Sequence, residues 1–325
     1  MIKYGIIGTG WIAESFIEGV RLMTDSAIAA VYSRTEEKGN DFAKRNDIPL
    51  VYTDIDEFAN GDFDAVYIAS PNACHASQSI KMMKASKHVI CEKPIAVSPN
   101  ELRECIEISK ETNRIYMEAI MYMHTPNREK LREAVGKIGN ITSAHFDFSQ
   151  LSSKYAAYKR GETPNIFNPA LATGGLMDLG IYCIYPAIDI FGVPKKITAD
   201  AVFMRTGSDG SGSGTFNYGD KLLTFTYSKT GQDYAGSFIY GDEGTIEIES
   251  ISKLTNIKLV DKDGNKKVIC PDMPKSEIMG YEAKEFEEFI SGKNMEKYNL
   301  SSKTALQVSE QMEKIRNLAG IEFDL

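Results

Sequence analysis

The chain is short of the residues that build metal centres and disulfide frameworks. Its 325 residues hold five cysteines (Cys74, Cys91, Cys105, Cys183 and Cys270) and four histidines (His75, His88, His124 and His145). An odd cysteine count without a C-x-x-C pair argues against a disulfide framework and reads as reduced, mostly buried small hydrophobes. The histidines show no zinc-ligand spacing, so no metal is expected. Positive charge is also scarce: 37 Lys and Arg stand against 45 Asp and Glu, a net charge of -8. Non-specific nucleic-acid binding needs a basic face and is excluded. No run reads as long and apolar enough to span a membrane. Met1-Ile2-Lys3-Tyr4 passes straight into a strand and leaves no room for an export signal, so a cytoplasmic protein is expected. Internal repeats and low-complexity tracts are absent.

What is present is an ordinary globular composition on a chain long enough for two domains, since single cores seldom outgrow about 250–300 residues. Up to about residue 120, strands alternate with helical stretches, the rhythm of a parallel sheet. The strands are Ile2–Ile7, Ile28–Tyr32, a short one near Val51-Tyr52, Asp64–Ala69, His88–Ile90 and Ile115–Glu118. Ser98-Pro99-Asn100-Glu101 forms a capping box with proline at the first helical position. From Ile141 to about Ile269 the pattern changes to strands and turns, over 141–149, 195–204, 214–218, 221–227, 237–240 and 244–249. A turn at 261–265 joins two more strands, one helix near 175–191 interrupts, and helices near 280–291 and 302–318 end the chain. The expected fold is α/β, with a dinucleotide-binding domain over 1–120 and an α+β domain over 121–325 built on a largely antiparallel sheet. One face of such a sheet can stay open for a partner, so a homodimer or homotetramer through it is expected.

Gly8-Thr9-Gly10-Trp11-Ile12-Ala13 follows the first strand at once and opens a helix with Ile12, Ala13, Phe16, Ile17 and Val20 at helical spacing. This is the setting the G-x-G-x-x-G/A fingerprint requires. Gly8 permits the tight turn, Gly10 lets backbone approach a pyrophosphate, and Ala13 allows close helix–strand packing. The pyrophosphate would sit on the helix amino end, where N–H groups and the dipole favour an anion. The second strand ends in Ser33-Arg34, where an NAD site usually places an acidic residue for the ribose. A hydroxyl and a guanidinium, with Lys38 beyond, suit a 2′-phosphate. NADP(H) is therefore expected in preference to NAD(H); the alternative is a solvated Arg34 with Glu36 or Glu37 on the ribose.

Cys91-Glu92-Lys93-Pro94 ends a buried strand, and ligands of open α/β sheets bind beyond strand carboxyl ends. Proline fixes the backbone after Lys93, so the lysine is placed to meet a reacting group; a surface Lys-Pro turn is the alternative. In the second domain, Asp178 and Tyr182 lie four apart on the inserted helix and share a face. They suit orienting a hydroxyl and exchanging its proton, or else capping and packing.

Gly8–Ala13, Glu92-Lys93-Pro94 and Gly174-Gly175-x-x-Asp178-x-Gly180-x-Tyr182, in this order, resemble the glucose–fructose oxidoreductase/inositol dehydrogenase/MocA family. The resemblance extends through Pro71-Asn72-x-x-His75, Glu118-Ala119 and His124-x-Pro126. Tyr182, where many members carry histidine, is similar to the dihydrodiol and xylose dehydrogenase branch. The resemblance implies a Rossmann domain followed by an open-faced antiparallel sheet, and NAD(P)-linked oxidation or reduction of a sugar, polyol or related cyclic alcohol. It implies a cis bond before Pro94, with Lys93 by the nicotinamide. The implied cofactor residues are Gly8, Thr9, Gly10, Trp11, Ile12, Ser33, Arg34, Lys38, Ser70, Pro71, Asn72, His75, Glu92 and Lys93. The implied catalytic set is Lys93, Asp178 and Tyr182, and Glu118 and His124 join it at the substrate; Asn165 and Asn168 are further candidates for substrate hydroxyls. Tyr182 is expected as general acid/base, with Lys93 bridging substrate hydroxyls and stabilising the tyrosinate, or itself donating the proton. A non-catalytic NADP(H) sensor of the same fold is the competing reading.

Replacing Arg34 with Asp is expected to weaken NADPH binding far more than NADH binding, as read by paired titration. Equal effects would remove Arg34 from cofactor discrimination.

Overall fold

The computed structural model describes residues 1–324. The chain forms two compact units, the first of 1–124 with 274–303 and the second of 125–273 with the segment from Thr304 onward. A single boundary near residue 120 is thus corrected: 274–303 belongs with the first unit. The reason is a helix crossing. Lys275–Ile290 packs across the first helix, Trp11–Met23, at Gly19 and Gly280. A Cβ on Gly19 would lie 2.6 Å from the Gly280 amide nitrogen, so only glycine lets the two backbones meet.

In the first unit six parallel strands run in the order β3-β2-β1-β4-β5-β6. They are β1 (Lys3–Ile7), β2 (Ala27–Tyr32), β3 (Leu50–Tyr52), β4 (Ala65–Ile68), β5 (His88–Glu92) and β6 (Tyr116–Ala119). Ile6, Ile7, Val66, Tyr67, Val89 and Ile90 are buried, the near-continuous apolar runs of a sheet covered on both faces. The strand order reverses between β1 and β4, which opens a crevice at their carboxyl ends. Ser98 caps the helix Pro99–Glu111 as its spacing predicts, its Oγ accepting from Glu101 N at 3.2 Å. The Glu101 carboxylate reaches back to Val97 N.

The second unit is an eight-stranded sheet in the order β14-β13-β12-β11-β7-β10-β9-β8. Its strands are β7 (Ile141–Ser149), β8 (Lys196–Phe203), β9 (Asp209–Asn217), β10 (Leu222–Ser228), β11 (Ser237–Gly241), β12 (Gly244–Ser250), β13 (Thr255–Asp261) and β14 (Lys266–Cys270). Every neighbouring pair is antiparallel except β7 and β10. One face buries Phe146, Phe216, Phe225, Tyr227, Ile239 and Ile246. The other lines a shallow groove with Thr198, Asp200, Ser213, Thr215, Thr224 and Thr226. Threonine is β-branched and polar, so it favours strand backbone while leaving that face wettable.

β9 begins five residues before the expected 214, through the glycine-rich Asp209–Ser213. The cause lies across the strands, because Gly212 and Gly214 stand opposite Tyr227 and Phe225. A Cβ at these glycines would fall 2.3 Å from Tyr227 Oη and 2.5 Å from Phe225 Cζ. The aromatic rings cover glycines that otherwise read as a loop. The segment Pro169–Phe191 also corrects the membrane reading, for it is long and apolar enough to cross a bilayer. With 89% of its apolar window buried inside the protein, it is a core segment. The last two helices, Lys275–Ile290 and Met295–Ala319, both start earlier than expected.

Gly19→Ala tests the helix crossing. Alanine favours an isolated helix by about 1 kcal/mol, but the collision with backbone cannot relax by a side-chain rotation. Net destabilisation of about 1–3 kcal/mol is expected in urea unfolding; a stabilised variant would show that the crossing has slack.

Candidate active site

At the carboxyl end of β1, Gly8 has φ +110° and a Cβ there would lie 2.5 Å from Ala69 O. Backbone conformation and close approach both require glycine. Gly10 is the N-cap of the first helix; no side chain caps that amino end, and a Cβ on Gly10 would meet nothing within 4 Å. Ala13 is fully buried against the sheet. An uncapped 13-residue helix with open space at its first turn fits a dinucleotide pyrophosphate. Beyond β2, Ser33 is buried while Arg34 and Lys38 are exposed. Trp11 is 66% exposed, and Lys275 Nζ sits 3.9 Å above its ring.

The loop after β5 is bound from three sides. The Lys93–Pro94 peptide is cis, as the resemblance implies. Tyr67 on β4 donates to Glu92 Oε1 at 2.5 Å. His75 Nδ1 lies 2.8 Å from Pro94 O, and its Nε2 lies 2.8 Å from Ser70 O. From β6, Glu118 Oε1 accepts from Ile95 N at 2.9 Å, and Tyr116 Oη donates to Ile95 O at 3.1 Å. Each such bond contributes about 0.5–1.5 kcal/mol net, and orphaning a buried partner costs about 1–3. Lys93 is half-buried within this frame, which rules out a loose surface turn. Burial raises the Glu92 carboxyl above its ordinary range, opposed chiefly by the Lys93 charge. Burial and the Glu92 charge push Glu282 further up, and neither of its oxygens has a hydrogen-bond partner among the described residues.

In the second unit, Leu176–Gly180 forms one π turn that leads into the α-helix Ile181–Phe191. The expected uniform helix is therefore corrected. A Cβ on Gly174 would lie 1.9 Å from Asp209 Oδ1, and one on Gly175 or Gly180 would lie 2.9 or 3.0 Å from the Tyr227 ring. The glycines seat this turn on β9 and β10, and Asp209 Oδ2 accepts from Leu176 N at 2.7 Å. Burial raises the Asp209 carboxyl, and the Leu176 hydrogen bond opposes it. The π turn carries Asp178, part-exposed and ion-paired with Lys229. Tyr182, 8% exposed, meets the Phe148 ring edge-on at 5.3 Å.

The family model described as "Oxidoreductase family, NAD-binding Rossmann fold" matches residues 2–120, and the C-terminal domain of the same family matches 129–247. The scyllo-inositol 2-dehydrogenase (NADP(+)) of Bacillus subtilis is 37% identical over 99% of this chain and 98% of its own. The chain belongs to the glucose–fructose oxidoreductase, inositol dehydrogenase and MocA family. It is an NAD(P)-dependent oxidoreductase. The trans-1,2-dihydrobenzene-1,2-diol dehydrogenase of Bos taurus is 28% identical over 99% of this chain and 98% of its own. Among solved structures, a 3-ketoreductase from Actinomadura kijaniata in complex with NADP and TDP-benzene superposes with TM-score 0.85 at 19% identity, covering 98% of both chains, a likeness of fold.

Against this family frame, several site residues take other places than expected. His75 is 1% exposed and joins the loops after β4 and β5, so it does not face the cofactor crevice. Burial pushes its imidazole below the ordinary value. Glu92 and Glu118 are likewise buried supports of the Lys93 loop. His124 has no exposed side-chain surface: Nδ1 pairs with Glu285, which also pairs with Lys297, and Nε2 lies 3.1 Å from Glu118 O. Both ring nitrogens are committed inside the first unit, which removes His124 from the substrate contacts. Burial raises the Glu285 carboxyl and the His124 hydrogen bond lowers it, with a net shift downward. Asn165 is exposed, and Asn168 Oδ1 accepts from Ala170 N, a local turn.

Gly8, Gly10, Trp11, Ser70, Pro71, Asn72 and Lys93 do gather at the carboxyl ends of β1, β4 and β5. Sequence reasoning missed Tyr67, Tyr116, Lys275, Asp209 and Lys229. For Lys229 a signal exists: along β10 it continues the parity of Phe225 and Tyr227, which face the helix.

Gly174→Ala places a methyl where the Asp209 carboxylate stands and pushes the π turn off its seat. A displacement of about 1 Å at a reacting group costs up to about 10²-fold in rate. A kcat loss of that order with unchanged dinucleotide affinity is expected, and normal turnover would contradict the packing role of Gly174.

Proposed function

We propose that this oxidoreductase moves a hydride between NADP(H) and the carbinol or carbonyl carbon of a cyclic polyol or sugar. The observation that carries the reading is Lys93, held half-buried at the carboxyl end of β5 by side chains from β4, β6 and the His75 helix. A cation on a loop fixed in this way suits stabilising a developing alkoxide as charge forms. The full-length similarity to a scyllo-inositol 2-dehydrogenase using NADP(+) supports a cyclic polyol and the phosphorylated cofactor. Exposed Arg34 and Lys38 beyond β2 support the same cofactor choice.

A bound nicotinamide supplies the hydride acceptor or donor. The protein's own groups manage the rest. Lys93 steadies negative charge on the substrate oxygen, Asp178 accepts from a substrate hydroxyl and orients it, and Tyr182 exchanges the proton. The same reading includes assembly as a homodimer or homotetramer through the open face of the second sheet.

Such acid–base and electrostatic help is worth about 10²–10⁴ in rate. Lys93→Met is expected to lose at least that much kcat in steady-state assays with NADP⁺ and a cyclic polyol. NADPH binding, followed by titration, is expected to persist. Turnover at the wild-type rate would remove Lys93 from the mechanism.

A further inference from the structure

We infer that Lys229 is a positioning residue that holds Asp178 as an ionised acceptor for one substrate hydroxyl. This deepens the function proposed above and rests on its assignment of Asp178. Lys229 follows β10 directly, and its backbone is fixed on both sides: its N–H donates to Gly210 O at 2.8 Å, and its carbonyl accepts from Ser152 N at 2.9 Å. The side chain is 7% exposed and pairs with Asp178, whose side chain is 27% exposed. Lysine is almost never so buried unless paired.

Stability does not account for the pair. Exchanging a buried ion pair for well-packed apolar residues is commonly neutral or stabilising, so the pair is weak evidence of a structural device. Its asymmetry matters more. The ammonium is the inner member and the carboxylate the outer one, so what meets solvent is an acceptor. It is carried on a π turn, a distortion found frequently at functional sites. A group docking there is a hydrogen-bond donor, which selects a hydroxyl over a carbonyl or a deoxygenated carbon.

The charges around Asp178 can be named. On β7, Phe148 meets Tyr182, so alternation turns His145 and Asp147 to the opposite face. On β9 stands Asp209, bound to Leu176 N, and on β10 stands Tyr227. The helix itself carries Tyr182, Cys183, Tyr185 and Asp189. An opposite charge lowers a carboxyl pKa by about one to three units, and its loss raises it again. Asp178 accepts only while ionised, so activity falls as pH drops through its pKa. Removing the Lys229 charge moves that fall toward higher pH.

The test is kcat/KM against pH for the full-length enzyme with NADP⁺ and a cyclic polyol, in wild type, Lys229→Met, Lys229→Gln, Lys229→Arg and Asp178→Asn. NADPH titration of each variant reports folding of the nucleotide unit, and Lys229→Gln keeps a polar side chain should Lys229→Met fail to fold. The expected result is an acid limb displaced upward in the neutral variants. Polyol KM is expected to rise below that limb, NADPH affinity to hold, and Lys229→Arg to restore the limb. A limb that stays in place, or a rate lowered equally at every pH, overturns the role of Lys229 while Asp178 keeps its own. An Asp178→Asn enzyme with wild-type KM and profile overturns the Asp178 assignment and this inference with it.

Discussion

The structure of the nucleotide-side site depends on one constraint, the binding of the loop that follows β5. Lysine on a chain end is a flexible, strongly hydrated charge. Here its neighbours are held by buried groups before and after it: Tyr67 on Glu92, His75 on Pro94, Glu118 and Tyr116 on Ile95. Because these come from β4, β6 and the helix starting at His75, the loop can shift only if the parallel sheet shifts. The histidine and two glutamates that look like ligands of cofactor or substrate are the parts of this frame. Their chemistry is spent on position.

The second unit solves a similar problem with glycine and tyrosine. Tyr227 lies under Gly175 and Gly180 and opposite Gly212, and Asp209 occupies the space that a side chain on Gly174 would need. A helix can approach a sheet this closely only where side chains are missing, and the close approach is what turns Leu176–Gly180 into a π turn bearing Asp178. The glycine pattern thus fixes where a carboxylate stands, although none of the glycines touches it chemically.

Local signals were readable from the chain alone. The glycine turn at Gly8–Ala13, the capping box at Ser98 and the period-two strand at Gly244–Glu249 each depend on neighbours in sequence. Partners brought from afar were not readable. Nothing near His124 announces Glu285, 161 residues away, and nothing near Asp178 announces Lys229, 51 residues on. The same limit explains β9, whose glycines read as a loop until the aromatic rings of β10 are laid opposite them. It also explains the return of 274–303 to the first unit, which follows from the Gly19–Gly280 crossing. Motifs identified candidate residues; only the fold showed which of them hold the others in place.

The most direct test of the account follows the hydride itself. Wild-type protein would be incubated with NADP⁺ and scyllo-inositol deuterated at its carbinol carbons, and the nicotinamide analysed by mass spectrometry. The account predicts reduced cofactor carrying one deuterium. Cofactor that binds yet stays oxidised with scyllo-inositol and with a panel of other cyclic polyols and aldoses, or that is reduced without label, would contradict it.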